Sequence, residues 1–375
     1  MNWSDHPIIL LGHGCRAAGA DVAPLLELGV PVLTSWQAKD MVDNNHPNYF
    51  GSPGRYGQRM ANKAMHNADM ILAIGNRMSI WNVGYEGPRP DQRLVMVDID
   101  ETEVKKFPHA VWINQDAKQF IDLLFTRDAA KWDDNPDWRR QCAAWKAQYP
   151  LVESPAHDDL PGFINSYRFV DALHEHLRPD DVIVTDCGEV MCPVHQVLRL
   201  KPPQRLMTSG GLGEMGCALP AAFGASMALR DQGKDTEVIC FVGDGGMMLN
   251  LSTLQSIVQH QCRIKIIVFE NDGYGMISRT ERKAGMELHN TNAATGVTLP
   301  SFRALAQTFG IPAADVRTWD DYKRAIPQLF YARGPALIEY HQHPDQPAVP
   351  TLVPIKMPDG TMRNPLFDEL SPVLP

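Results

Sequence analysis

The strongest constraint in this sequence is a rhythm. Short apolar runs, "PIILLG", "VPVLTS", "ADMILAIG", "QRLVMVDID" and "AVWIN", recur through the first 125 residues, separated by segments of helical pattern such as residues 58–67. Strands that alternate with helices make βαβ units, and repeated βαβ units make a doubly wound parallel sheet. The rhythm lapses between about residues 126 and 166, where Trp, Asp and Pro are frequent ("KWDDNPDWRRQCAAW", "YPLVESPAHDDLPGF"), a composition suited to a helix followed by a surface linker.

From residue 167 the rhythm resumes. "DVIVTDCG", "EVICFVGDGG", "RIKIIVFENDG" and "PALIEYH" read as strands, and "GCALPAAFGASMALR" as an Ala-rich helix. The expected fold is therefore α/β, with two doubly wound parallel-sheet domains. The expected boundaries are a first Rossmann-like domain over 1–140, a linker over 141–165, a second domain over 166–345 and an extended tail over 346–375. The tail is rich in Pro yet too apolar for a disordered segment, and is expected to pack along a domain surface.

Composition excludes several classes. At 375 residues, 44% hydrophobic and 21% charged, the chain is that of an ordinary globular protein. A net charge of −9 and the absence of basic runs argue against nucleic acid. No apolar run reaches the roughly 18 residues of a membrane span, and "MNWSDHPIILLGHG" lacks the pattern of a secretory leader, so a cytoplasmic location is expected. Seven cysteines without a CxxC pair argue against zinc and against a disulfide framework.

Two glycine-rich turns carry candidate chemistry. "GHGCRAA" follows the first strand and fits the weak G-x-G-x-x-A form of a dinucleotide fingerprint, but the second strand ends "VLTSW", without the acidic residue a nicotinamide ribose requires. The alternative is a tight strand-to-helix turn. "FVGDGG" is more informative: it places Asp244 at the carboxyl end of a strand, with Gly243 before it and the Gly245 and Gly246 amides able to approach a phosphate. "IKIIVFEND" ends in the same way. If the two strands are neighbours, Asp244, Asn271 and the Gly273 carbonyl face one point, an oxygen set suited to Mg²⁺ bridging a diphosphate.

Gly243-Asp244-Gly245, the intervening helix and "ENDGYGM" (residues 270–276) resemble the motif of the thiamine-diphosphate enzymes, and the whole chain looks closest to the large chains of acetolactate synthase and related carboligases. The motif begins GDG and ends in paired asparagines. The first of these is Glu270 here, and the second, the family's metal ligand, is Asn271. The resemblance implies Asp244, Asn271 and the Gly273 carbonyl as the Mg²⁺ ligands, with Tyr274, Gly275 and Met276 beside the cofactor. "SGGLGEMGCALPAAFGA" (residues 209–225) resembles the segment holding the aminopyrimidine, which makes the Gly213 carbonyl the acceptor for its amino group and Met215 the apolar wedge that bends the cofactor. "TDCGEVM" resembles the strand end supporting the diphosphate through Gly188 and Glu189. Glutamine is usual at the second position, and a carboxylate beside a diphosphate is repulsive unless it is turned away or paired. In the first domain Arg77 matches one arginine of the flavin-associated pattern while "RMSIWN" lacks the second, which leaves FAD open.

The family's pyrimidine-binding domain, with its catalytic glutamate, has no counterpart in these residues. The leading expectation is a split enzyme: a separate polypeptide supplies that domain, and the holoenzyme is a hetero-oligomer with two copies of each chain or a multiple. A truncated or degenerate product is the alternative. Where pyruvate-decarboxylase-like relatives carry a protonating glutamate, this chain has Ile277, which favours carboligation of pyruvate or a similar 2-keto acid over aldehyde release. Thr280 stands where acetolactate synthases have an acceptor-selecting tryptophan, so the acceptor stays open. Arg279 and Arg282 are read either as contacts to an anionic acceptor or as solvated helix residues. The readings from other classes are a non-catalytic nucleotide- or flavin-binding subunit and a nicotinamide-dependent oxidoreductase.

Overall fold

The structure is a computed structural model that describes residues 4–84, 86–126 and 135–374. Residues 1–3 of the N-terminal stretch, and residues 127–134 at the start of the compositional change, lie outside the described residues. The chain forms two compact units. The first comprises the described residues of Met1–Glu153, Arg199–Pro202 and Val349–Pro375, and the second those of Ser154–Leu198 and Pro203–Ala348.

In the first unit β1 (Pro7–Leu11), β2 (Val32–Thr34), β3 (Met70–Ile74), β4 (Arg93–Asp98) and β5 (Val111–Asn114) form a five-stranded sheet in the order β2-β1-β3-β4-β5. All its neighbours are parallel. Side chains alternate across a strand, so Ile8 and Leu10 enter the core on one face while Ile9 and Leu11 enter the core on the other. Each such side chain, removed fully from water, contributes about 1.5–3 kcal/mol. The helix Pro136–Gln148 crosses residue 140 and buries Trp138 and Cys142 in the first of these cores, and the Trp138 indole N–H donates to the Pro7 carbonyl at 3.0 Å. The C-terminal segment packs on the same face: Arg59 and Asn62 donate to the carbonyls of Leu370 and Phe367 at 2.8 and 2.7 Å.

The glycines of "GHGCRAA" have a packing reason. A Cβ on Gly12 would lie 2.1 Å from the Gly75 carbonyl oxygen, and one on Gly14 would lie 2.7 Å from the Gly75 Cα. The ends of β1 and β3 press backbone against backbone there.

The second unit holds β6 (Val182–Thr185), β7 (Arg205–Thr208), β8 (Val238–Gly243), β9 (Ile264–Glu270), β10 (Ala313–Val316) and β11 (Ala336–His341). Its six-stranded sheet runs β10-β11-β9-β8-β6-β7, again parallel throughout. The helix Ala218–Asp231 lays Ala218, Leu219 and Ala222 into a core with Val182, Val184, Val238 and Cys240. Alanines on that face let helix and sheet approach closely. From β6 the chain goes to β7 on one side and then to β8 on the other, so the order reverses between β6 and β8. In open α/β sheets that reversal opens the crevice where ligands bind. No helix among the described residues is long and apolar enough to cross a membrane.

Candidate functional site

The carboxyl ends of β6, β8 and β9 converge at this crevice of the second unit. β8 and β9 are in register through Gly243 and Phe269, so Asp244 and Asn271 leave the sheet side by side. Asp244 is buried, and its carboxylate accepts from the backbone N–H groups of Gly245 at 2.6 Å and of Asn271 and Gly273 at 3.0 Å each. Burial pushes the Asp244 carboxyl up to about 7, against the pull of those three donors. The Gly245 amide is thus engaged by the neighbouring carboxylate. The Asn271 side-chain oxygen is buried without a hydrogen-bond partner. A buried carboxylate short of positive charge, beside an orphaned amide oxygen, is a donor pair that could hold a hard cation.

The turn after β9 is shaped for close approach. Gly273 has φ of +133°, and a Cβ there would meet the Thr291 carbonyl oxygen at 2.1 Å. Tyr274 follows, with its ring against Gly245, where an added Cβ would lie 2.3 Å from the ring. The helix Gly275–Lys283 begins next, carrying Met276, the half-exposed Ile277 and Arg279.

Glu189 lies in the turn after β6 and is buried. It is ion-paired with Arg279, and its Oε2 accepts from the Asn271 side-chain amide at 2.9 Å and the Gln342 side-chain amide at 3.1 Å. Burial raises its pKa, and the Arg279 charge opposes the rise. The carboxylate that would repel a diphosphate is therefore paired. Arg279 is a partly buried ion-pair partner of Glu189 rather than a solvated helix residue, whereas Arg282 is exposed and bridges Asp345 at 3.0 Å. Gly188 precedes Glu189 with φ of +87°, a left-handed turn that glycine adopts without strain.

Glu270 turns away from the crevice. It lies 2.7 Å from His341 Nδ1 across the β9–β11 pair, and the other ring nitrogen of His341 is 3.3 Å from Asp315. Burial works to raise the Glu270 pKa, but the hydrogen bonds from His341 and the Asp272 N–H hold it below the ordinary value.

The loop between β7 and the helix Ala218–Asp231 carries Gly213 and Met215. Gly213 has φ of +70°, and Met215 is 41% exposed at the rim. The loop is fastened by a residue that the sequence reading passed over. Asp186, at the end of β6, is buried and accepts the Gly216 N–H on both carboxylate oxygens, at 3.0 and 2.9 Å. A Cβ on Gly246 would fall 2.2 Å from the same carboxylate. The signal was in "TDCG", an acidic residue at a strand end beside a glycine. Gln342 was missed too, because its role depends on the β9–β11 pairing.

Two family models match this chain. Residues 186–340 match the model "Thiamine pyrophosphate enzyme, C-terminal TPP binding domain", and residues 1–124 match "Thiamine pyrophosphate enzyme, central domain". The Acetolactate synthase isozyme 1 large subunit of Escherichia coli (strain K12) is 28% identical over 94% of this chain and 61% of its own length. The Probable acetolactate synthase large subunit of Methanocaldococcus jannaschii is 29% identical over 99% of this chain and 64% of its own. The Probable acetolactate synthase 2, chloroplastic, of Oryza sativa subsp. japonica is 29% identical over 93% of this chain and 54% of its own. The chain thus spans less than two thirds of the length of these relatives.

Proposed function

We propose, for a chain that belongs to the thiamine pyrophosphate enzymes through their central and C-terminal domains, the role of diphosphate-binding subunit in a cytoplasmic carboligase acting on pyruvate or a similar 2-keto acid. The observation that carries this reading is the convergence of the Asp244 carboxylate, the orphaned Asn271 oxygen and the Gly273 turn at the reversal of strand order. Asp244, Asn271 and the Gly273 carbonyl would hold Mg²⁺, which would supply positive charge for a diphosphate. Thiamine diphosphate, when bound, would supply a nucleophilic carbon and an electron sink for the decarboxylation of a 2-keto acid.

The chain's own residues bind, orient and keep out water. Gly213 would present its carbonyl to the aminopyrimidine, and Met215 would hold the cofactor bent. Ile277 offers no proton to the site, which favours carboligation over aldehyde release. The overall reaction exchanges no electrons, so FAD is not required by it.

The rim supports a covering partner. Leu212, Met215, Leu249 and Ile277 are 89%, 41%, 54% and 49% exposed on the segments bordering the crevice. Apolar side chains set around a polar site suit a second protein surface that completes and dries it. We assign that surface to a pyrimidine-binding domain on a separate polypeptide carrying the catalytic glutamate, in a hetero-oligomer with two copies of each chain or a multiple.

The test has two steps. Calorimetry should show thiamine diphosphate binding that depends on Mg²⁺ and is lost in Asp244→Ala; equal affinity with and without Mg²⁺ would overturn the site. Adding the pyrimidine-binding polypeptide should then yield pyruvate consumption with carbon–carbon bond formation. Steady turnover by the 375-residue chain alone would overturn the split arrangement.

A further inference from the structure

Glu189 holds three groups that belong to different segments. Its Oε2 accepts from the side-chain amides of Asn271 (2.9 Å) and Gln342 (3.1 Å), and its other oxygen faces Arg279. Gly275 leaves the room for this: a Cβ there would lie 2.6 Å from the Glu189 carboxyl carbon.

An amide side chain can point either its oxygen or its NH₂ at a neighbour, and the two ends differ little in shape. A carboxylate removes the choice, because it accepts hydrogen bonds and cannot donate them. Against Glu189, Asn271 must present its NH₂, and its oxygen is thereby sent the other way. That oxygen is buried and without a partner. The backbone of the same residue is pinned by Asp244, at 3.0 Å. Both ends of Asn271 are therefore fixed by carboxylates, one at the main chain and one at the side chain. A glutamine at position 189 could turn its own amide, and the direction of the Asn271 oxygen would be less firmly set. Arg279 keeps the arrangement compatible with an anionic ligand by balancing the Glu189 charge where it is buried.

We propose that Glu189, paired with Arg279, is a positioning residue that orients the Asn271 amide so that its oxygen is delivered to the divalent cation of the diphosphate site. This inference rests on the site reading proposed above. Groups that orient a ligand from behind typically tune metal affinity by about 10–100-fold.

The test is the affinity for Mn²⁺, used as the probe in place of Mg²⁺, in the presence of thiamine diphosphate. Electron paramagnetic resonance of free Mn²⁺ reads it for the full chain, Glu189→Ala and Glu189→Gln, with the melting temperature of the metal-free proteins as the fold check. Glu189→Ala should bind Mn²⁺ about 10–100-fold more weakly while remaining folded. Glu189→Gln should fall between it and the unaltered chain, because it keeps an acceptor but loses the enforced direction. Folded Glu189→Ala with unchanged Mn²⁺ affinity overturns the proposal. Should Glu189→Ala fail to fold, Glu189→Gln decides alone: weakened binding supports the assignment and unchanged binding overturns it. An unaltered chain that binds neither Mn²⁺ nor thiamine diphosphate removes the site reading and this inference together, whereas normal binding by the unaltered chain and both variants removes only this inference.

Discussion

At the scale of single residues, the site depends on buried carboxylates with different tasks. Asp244 is left with a carboxyl pushed up to about 7, a group that a cation would stabilise in its charged form. Asp186 serves the backbone instead, with both oxygens on one N–H. Asp186→Ala should cost about 1–3 kcal/mol, the usual consequence of leaving a buried donor unpaired, and should weaken thiamine diphosphate binding as the loop around Met215 loosens. Urea unfolding and calorimetry on one variant would show both effects; full retention of cofactor affinity would mean that the loop is held by other means. Met215 allows a separate check. Met215→Leu roughly keeps the volume and should leave hydrogen exchange at the cofactor's reactive carbon near its normal rate in the reconstituted enzyme, whereas Met215→Ala should slow it. The sequence displayed Asp244, Asn271 and Met215 because each sits in a local pattern. It could not display the Glu189–Arg279 pair, whose members are brought together by β6 and the helix Gly275–Lys283.

Strands and helices were legible where burial is complete. β1, β3 and β8 are continuous apolar runs, and β9 and β11 are apolar apart from the buried Lys265 and Glu339 and their polar last residues, because helices cover both faces of a parallel sheet. β7 ("RLMT") and β10 ("AADV") escaped notice for the opposite reason. Both are edge strands with much of their surface outside the core, so their composition carries little signal. The Ala-rich helix stood out, and its alanines set a close distance to the sheet. Ala222 is fully buried between Ala218–Asp231 and the strands below. Ala222→Leu should therefore destabilise the second unit by about 1–3 kcal/mol through overpacking. Thermal unfolding checks it, and an unchanged transition would imply slack in the packing of this helix.

For the molecule as a whole, pH should act at both ends of the second sheet, through Asp244 at the crevice and through Asp181 at the amino end of β6. Asp181, just before β6, is fully buried, and burial raises its pKa from 3.8 to about 6 against the Arg178 N–H that it accepts. An acid with a higher pKa in the folded chain binds more protons when folded. Its stabilisation is complete below the unfolded value and is lost as pH rises through about 6. That rise in pKa corresponds to about 3 kcal/mol. Chemical denaturation between pH 4 and 8 should show this decline in the unaltered chain and a flatter profile in Asp181→Asn, and identical profiles would contradict it.

Asp186 also bears on how such a site can be inherited or rebuilt. Its carboxylate seals the Gly216 turn on one side and presses on Gly246 on the other, so three stretches far apart in the chain share one anchor. None of the three can be transplanted alone: a chimera that imports the β8 turn with any larger residue at position 246 collides with the host's aspartate, and one that replaces the aspartate releases the loop around Gly216. The stretches should therefore travel between homologues as a set, and recombinants with crossovers between residues 186 and 246 should be rescued when the matching partner stretch is restored.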